Sequence, residues 1–385
     1  MRILPLLALA LASGHYDVSA YQHWEESNYL NNFNQLESKS YSIVNDPNIA
    51  PAVLLDNCKV TDTSHLQQYH DGATVTLVAD GVDPTNPNVN TVSAASAQNQ
   101  CGLKSKCIVP RGLRLIMSSS LNVYSLIIRG ELYWRDVDQM EAEQYLCGGV
   151  IVAEGEGRFV MNLKDKRGWL YLKDNGAYHG HGKTRYFGGV GEHSGEHGSG
   201  GGGPIVEVTG RKLVRTWSLL AKPFHANEMS IKLMHSPVRM GWNIGDRIGV
   251  SSTQKTSDGT AHSFTITALS DDGTIHLDST FTNNGFKRQA DFLSPIQAVY
   301  SNETRSAALM TAEVVNLSRN IVITGDDFRH VPCGTANVGC ECGGSKTKCT
   351  VGLHTAQMHT GKMVVKNVRV EKCGQRGVVG KVSKI

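Results

Sequence analysis

The sequence predicts an all-β protein, and three observations predict it. From about Thr74 the chain breaks into short runs of strand-forming residues, "TVTLVAD", "LRLIMSS", "YSLIIRGELYW", "GGVIVAEGEGRFVMN", "GWLYLKD" and "PIVEVTG", set apart by Gly, Asp or Asn. Stretches of helical period are nearly absent. Two later runs, Asn320-Ile321-Val322-Ile323 and Asn367-Val368-Arg369-Val370, both place Asn just before alternating apolar residues. That likeness suggests stacked rungs of a parallel β-solenoid, in which each turn adds a strand to the same sheet and inward Asn side chains form a ladder. The two Asn are about two rungs apart in sequence, and the cysteine-rich stretch 331–350 accounts for the excess as an insertion. A β-sandwich with coincidental Asn positions is the alternative reading.

The chain opens with "MRILPLLALALASG", where Arg2 precedes an apolar run from Ile3 to Ala12 that ends in a small-x-small pattern. Residues 1–12 read as a cleaved secretory signal, with the mature chain starting near Ser13. The run is too short for a membrane-spanning helix of ~20 residues, and no later stretch is apolar enough to span. Residues 13–72 form a polar lead-in with weak periodicity. The expected location is therefore extracellular.

Nine cysteines fit that compartment, since disulfides persist where glutathione does not reach. Cys58, Cys101, Cys107, Cys147, Cys333, Cys340, Cys342 and Cys349 are the disulfide candidates, and Cys373 is the odd thiol. "CGTANVGCECGGSKTKC" has the spacing C-x6-C-x-C-x6-C, which lacks the paired C-x2-C of common zinc sites and so favours disulfides. The sequons at Asn302 and Asn316 are glycan acceptors where exposed, and the second lies inside an apolar strand pattern. The formal charge is +3, and +2 once Arg2 leaves with the signal, so charge alone implies no general attraction to polyanions. No phosphate-binding glycine motif, nucleophile elbow or basic stripe for nucleic acid is present.

Four motifs in order, "GRKLVRTWSLLAKP", "GWNIGDRIGVSST", "AEVVNLSRNIVITGDD" and "HTGKMVVKNVRVEKCGQRGVVGK", resemble the G8-domain family, whose members include hyaluronan-active proteins and fibrocystins. The resemblance covers roughly residues 73–381. It implies a glycine-rich G8 β domain over 73–222, a β insert or linker over 223–307, and the start of a right-handed parallel β-helix over 308–385. Gly130, Gly149, Gly155, Gly157 and Gly210 fall where strands must turn tightly, a reason independent of the family. In the family the last motif runs on into a Tyr, a His-Phe-His type segment and many further rungs. Here Lys381 is followed by Val-Ser-Lys-Ile, so the expectation is a β-helix cut at its C-terminal side, open to self-association through its edge and Cys373.

The candidate chemistry lies near the last rungs. Asp326, Asp327, Arg329 and His330 follow a strand directly, and His354 and His359 precede the next. Polar groups at strand ends line the outer groove of a β-helix, where elongated glycans lie. Paired carboxylates can divide acid and base roles in glycoside cleavage, which makes Asp326, Asp327, His330, His354 and His359 catalytic candidates. Arg329, Arg369 and Arg376 are candidates to hold a uronate carboxylate through a bidentate fork. For each residue singly, a turn cap or an inter-rung hydrogen bond is the plainer reading.

"YHGHGKTRYFGGVGEHSGEHGSGGGG" carries His179, His181, His193 and His197 with Glu192 and Glu196, but its glycines supply no rigid support for a metal, and a solvated loop is the better reading. No metal or other cofactor is expected. Trp134, Trp169, Trp217 and Trp242 would stack on sugars if exposed, and Trp217 and Trp242 read as core residues. Asp246 reads as a turn former. Two functions compete: a secreted protein that binds, and potentially depolymerises, a hyaluronan-like polysaccharide, and a non-catalytic adhesion ectodomain of fibrocystin type. The His-Phe-His type segment, absent here, discriminates them. A metal-dependent hydrolase is the third reading.

Overall fold

The computed structural model describes residues 56–60, 73–191, 202–222, 224, 227–251, 262–280, 296–297, 309–310, 312–334 and 348–376. Strands dominate, and three mainly parallel sheets form the body of the fold. The chain visits these sheets in a repeating order. Lys106–Val109 enters the first, Leu113–Ile116 the second and Leu121–Asn122 the third. Ser125–Ile128, Glu131–Arg135 and Glu143–Gly148 follow the same sequence, as do Val150–Glu154, Arg158–Asn162 and Arg167–Leu172. Each strand pairs in parallel with its counterpart from the previous round.

Alternation explains why these segments stack. In Glu131–Arg135 the side chains of Leu132 and Trp134 are buried while Glu131, Tyr133 and Arg135 are not. The inward set from all three sheets, including Leu115, Ile128, Leu132, Leu146, Phe159, Leu170 and Ile323, makes one continuous core. Each such side chain contributes roughly 1.5–3 kcal/mol through burial, and a one-residue slip would turn the whole set outward. Where consecutive rounds come closest, only glycine fits. A Cβ on Gly157 would fall on the carbonyl oxygen of Ile128, and Gly155 adopts φ +59°.

The helix Ala94–Cys101 stands beside the first third-sheet strand, capped by Ser93, whose Oγ accepts from Ser96 N at 3.2 Å. It covers the sheet edge there. The Gln98 carboxamide accepts from Asn122 N (2.7 Å) and donates to Asn122 O (2.9 Å), standing in for a neighbouring strand.

After Tyr186–Val190 in the first sheet and Ile205–Thr209 in the second, the repeating order is interrupted. The chain builds an antiparallel unit from Trp217–Leu219, Ser230–Lys232, Arg247–Val250, His262–Leu269, Thr274–Leu277 and Glu313–Asn316. Its six-stranded sheet closes on itself, because Ala221 N donates to Lys232 O (2.7 Å), Met234 N donates to Leu219 O (2.9 Å), and Leu220 bridges Leu233. Phe224, Trp242, Ile248, Phe264, Ile275 and Val314 fill its own core. Asp246 ties the entry to the exit of this unit. Its carboxylate accepts from Arg211 Nη2 (2.8 and 2.9 Å), Asn243 N (2.9 Å) and Asn316 Nδ2 (2.9 Å).

The repeating order then resumes with Ile321–Gly325 in the third sheet and, after a small antiparallel excursion through Arg329–Pro332 and Lys348–Val351, with His354–Met358, Lys362–Lys366 and Val368–Val370. Ile321–Gly325 pairs in parallel with Val368–Val370 in the register Ile321↔Val368. Asn320 and Asn367 therefore occupy equivalent positions. Asn320 donates to Leu163 O and Lys166 O (2.9 Å each), and Asn367 donates to Gly210 O (3.3 Å). Parallel pairing among the described strands reaches back to Thr74.

Two disulfides join described cysteines, Cys58–Cys147 and Cys101–Cys107. Cys333 and Cys349 are also disulfide-bonded, Cys340 and Cys342 lie outside the described residues, and Cys373 is a free, exposed thiol. No helix among the described residues is long and apolar enough to cross a membrane. The disulfides are compatible with an extracellular location. The signal region and lead-in, 1–55 and 61–72, lie outside the described residues.

Candidate functional site

The third sheet ends in a polar rim, because Leu172↔Gly325 is its last register pair and both strands run on into acidic residues. Lys173-Asp174 follows one and Asp326-Asp327 the other. Asp326 is half-buried and its carboxylate is taken up by the fold: Oδ1 accepts from Tyr171 Oη (2.7 Å) and Val60 N (3.4 Å), Oδ2 from Asp174 N (2.6 Å). Burial, and next the negative charge of Asp326, push the Tyr171 phenol far above its ordinary range. Tyr171 is a fixed donor there.

Asp174 is buried and receives Arg329 edge to edge, Nε to Oδ2 at 2.5 Å and Nη2 to Oδ1 at 3.0 Å. Beneath them lies Arg185, fully buried, which donates to the carbonyls of Asp327 and Val351 (3.0 Å each) and of Asp326. Arg185 thereby fixes the turn that carries Asp326 and Asp327. Lys173 Nζ donates to Asn122 Oδ1 (2.8 Å) and Val123 O (3.1 Å), and burial lowers its pKa to about 8.

Around this base opens a cleft of about 500 Å³, lined by Lys59, Tyr171, Asp174, Asp326, Asp327 and His330 among others. The segment 56–60 forms one wall. It is held by the Cys58–Cys147 disulfide and by Asn122 Nδ2, which donates to Asn57 O at 2.7 Å. Facing solvent are Asp327, whose side chain is 81% exposed and pairs with Lys372 at 2.9 Å, His330, whose Nδ1 meets Thr350 Oγ1 at 3.2 Å, and Lys59, which pairs with Asp56 at 2.5 Å. Asp326, Asp327, Arg329 and His330 thus share one cleft.

His354 and His359 belong elsewhere. His354 enters the first sheet opposite Tyr186, donates from Nε2 to Gly182 O at 2.6 Å and lies 5.2 Å from the Tyr186 ring. His359, at φ +58°, lies edge-on to His181 at 5.2 Å. Arg369 pairs with Glu371 beside Val322, and the side chain of Arg376 lies outside the described residues. Asn302 does too. Asn316 is 1% exposed, with its amide nitrogen given to Asp246.

Trp134 and Trp242 are buried, each with its indole N–H donated at 2.8 Å, to Gln139 Oε1 and Arg215 O respectively. Trp169 is buried, and among the described residues its Nε1 has no partner. Trp217 differs from its reading as a core residue. It points outward from the closed sheet, 42% exposed, with Arg215 over its ring at 5.0 Å, because Ser218 and not Trp217 takes the inward position of that strand. Among the described residues no group of three or more His, Cys, Asp or Glu is arranged to hold a metal ion, and Glu192, His193, Glu196 and His197 lie outside them.

Sequence reasoning missed Tyr171, Asp174, Arg185, Lys59 and Lys372. Asp174 carried a signal of its own, since "LYLKD" and "ITGDD" both end an apolar strand in acidic residues. The chain matches no protein-family model and no curated protein.

Proposed function

We propose that this chain is a secreted glycan-binding protein in which a G8-like β domain is continuous with a parallel β-helix, and that it holds an extracellular polysaccharide of hyaluronan type in the Asp326–His330 cleft. The observation that carries the reading is the open, polar cleft at the ends of the third-sheet strands, where solvent-facing Asp327, His330 and Lys59, with half-buried Lys372 beside them, can exchange hydrogen bonds with hydroxyl, amide and carboxylate groups. The repeated three-sheet visiting order and the equivalent Asn320 and Asn367 support the β-helix.

Binding without cleavage is the favoured activity. Glycoside hydrolysis needs two carboxyl groups free to act as acid and as base or nucleophile. Here Asp326 is committed to Tyr171 and the Asp174 N–H, and Asp174 to Arg329, which leaves Asp327 as the exposed carboxylate of the cleft. The bidentate pair also withdraws Arg329 from a uronate, so the cations a ligand meets are Lys59, which pairs with Asp56 at 2.5 Å on the exposed rim, and Lys372, which pairs with Asp327. The test passes the secreted protein over immobilised hyaluronan and other polysaccharides and reads chain length after incubation. Retention with unchanged chain length is expected, whereas shortening would replace binding by depolymerisation and no retention would favour an adhesion ectodomain.

A further inference from the structure

A second cleft, of about 290 Å³, lies at the corner where first-sheet strands turn toward the second sheet. Successive rounds stack their turns here, since Val109 pairs with Ile128, Ile128 with Ala153, and Glu154 with Val190. The residues just beyond these positions therefore come together: Arg111, Arg129, Glu154, Gly155 and Gly191, with His179 and His181 alongside. Gly155 puts no side chain into the corner, and Gly191 is packed against Thr360. A Cβ on Gly155 would come 3.6 Å from Arg111 Nη2, which places that guanidinium against the corner.

The single carboxylate lining this cleft among the described residues, Glu154, is already engaged. Gly182 N–H donates to His179 Nδ1 at 3.1 Å, so the imidazole proton sits on Nε2 and is donated to Glu154 Oε1 at 3.0 Å. Glu154 Oε2 accepts from Arg129 Nε at 3.0 Å. The hydrogen bond from His179 and the contact with Arg129 outweigh burial and hold the Glu154 carboxyl below its ordinary range, ionised and fixed. Against that one negative charge stand two guanidiniums. Arg129 keeps both terminal nitrogens uncommitted, and Arg111 makes no hydrogen bond or ion pair among the described residues.

We infer that this corner is a second binding site, distinct from the Asp326 cleft, and that it takes an oxyanion group, a carboxylate or a sulfate ester, between Arg111 and Arg129. Guanidinium forks match the spacing of two oxygens on such a group, and the contact is charge-assisted on both sides. Glu154 and His179 orient Arg129 and leave its outer edge for the ligand. The inference stands on this corner alone and does not require the glycan reading of the other cleft.

The test titrates the full secreted chain with inorganic sulfate and with acetate at physiological ionic strength. Parallel arms use a sulfated and a carboxylate-only oligosaccharide of equal length to distinguish the two sources of the oxyanion. Saturable binding is expected, weakened about tenfold in Arg111→Gln, the loss of one charge-assisted contact. Arg111 supports no other residue, so the variant should unfold at the wild-type midpoint, and Asp327→Asn in the first cleft should bind the anion as the wild type does. No saturable binding of any probe, equal binding by Arg111→Gln, or loss of binding in Asp327→Asn would each overturn the site.

Discussion

Arg329 and Asp174 stand 155 residues apart in sequence and meet through both edges of the guanidinium, at 2.5 and 3.0 Å. The pair clamps the Arg329–Pro332 strand to the end of the third sheet. The Asp174 side chain is only 7% exposed, so Arg329→Gln leaves a buried carboxylate without its counter-charge. Such a loss costs about 3 kcal/mol. Asp174→Asn combined with Arg329→Gln should recover part of that, because the unpaired Asp174 charge is gone while Asp326 still faces Arg185. Denaturant unfolding of the two single variants and the double variant measures the coupling.

The Cys58–Cys147 disulfide spans 89 residues of sequence and brings segment 56–60 to the wall of the first cleft. Replacing both cysteines by Ser should lower stability by roughly 4 kcal/mol through the larger freedom of the unfolded chain. It should also weaken polysaccharide retention, since Lys59 and the Val60 N–H are then no longer held beside Asp326. Unfolding and retention assays on the same variant read the two effects separately.

Lys173 sets an alkaline signature. Its native pKa of about 8 lies below the ordinary 10.5, so between these values the unfolded chain holds a proton that the native chain has released. Stability must therefore rise as pH is raised from about 8 to 10.5, and this gain is lost again as pH falls through 8. The full span is about 3 kcal/mol. Lys173→Met should abolish this slope, as followed by denaturant midpoints across that range.

The sequon at Asn316 should carry no glycan in folded protein. Its Nδ2 is both buried and donated to Asp246, within the cluster that joins the ends of the closed six-stranded unit. Mass spectrometry of glycopeptides from secreted protein checks this. Asn316→Asp should destabilise the chain by several kcal/mol, because it sets a second carboxylate against Asp246.

The parts of this fold that a local pattern encodes were legible in the sequence. Alternation gave the strands, and the Asn before each apolar run marked Asn320 and Asn367, whose strands pair in parallel. Asp326, Asp327, Arg329 and His330 group around one cleft because they are contiguous after one strand. Which sheet a strand joins is not local. His354 stands 28 positions after Asp326 in sequence yet enters the first sheet, while Asp326 closes the third. Arg185 was hidden for the same reason, since its role depends on carbonyls at 326, 327 and 351 that only the stacking of rounds brings over it. Closure of the antiparallel unit rests on the Leu220–Leu233 bridge, which leaves no pattern of its own, and the alternation of its first strand puts Ser218 inward and Trp217 outward.

The most direct measurement is a titration of size-defined hyaluronan oligosaccharides into the wild type and into a chain carrying Asp327→Ala and His330→Ala. Both side chains face solvent, and the variant should fold with an unchanged unfolding midpoint. The account predicts saturable binding by the wild type, at least about tenfold weaker binding by the variant, and oligosaccharides recovered at their original length. Equal binding by both chains, or binding by neither, would contradict the assignment of the Asp326–His330 cleft as the glycan site.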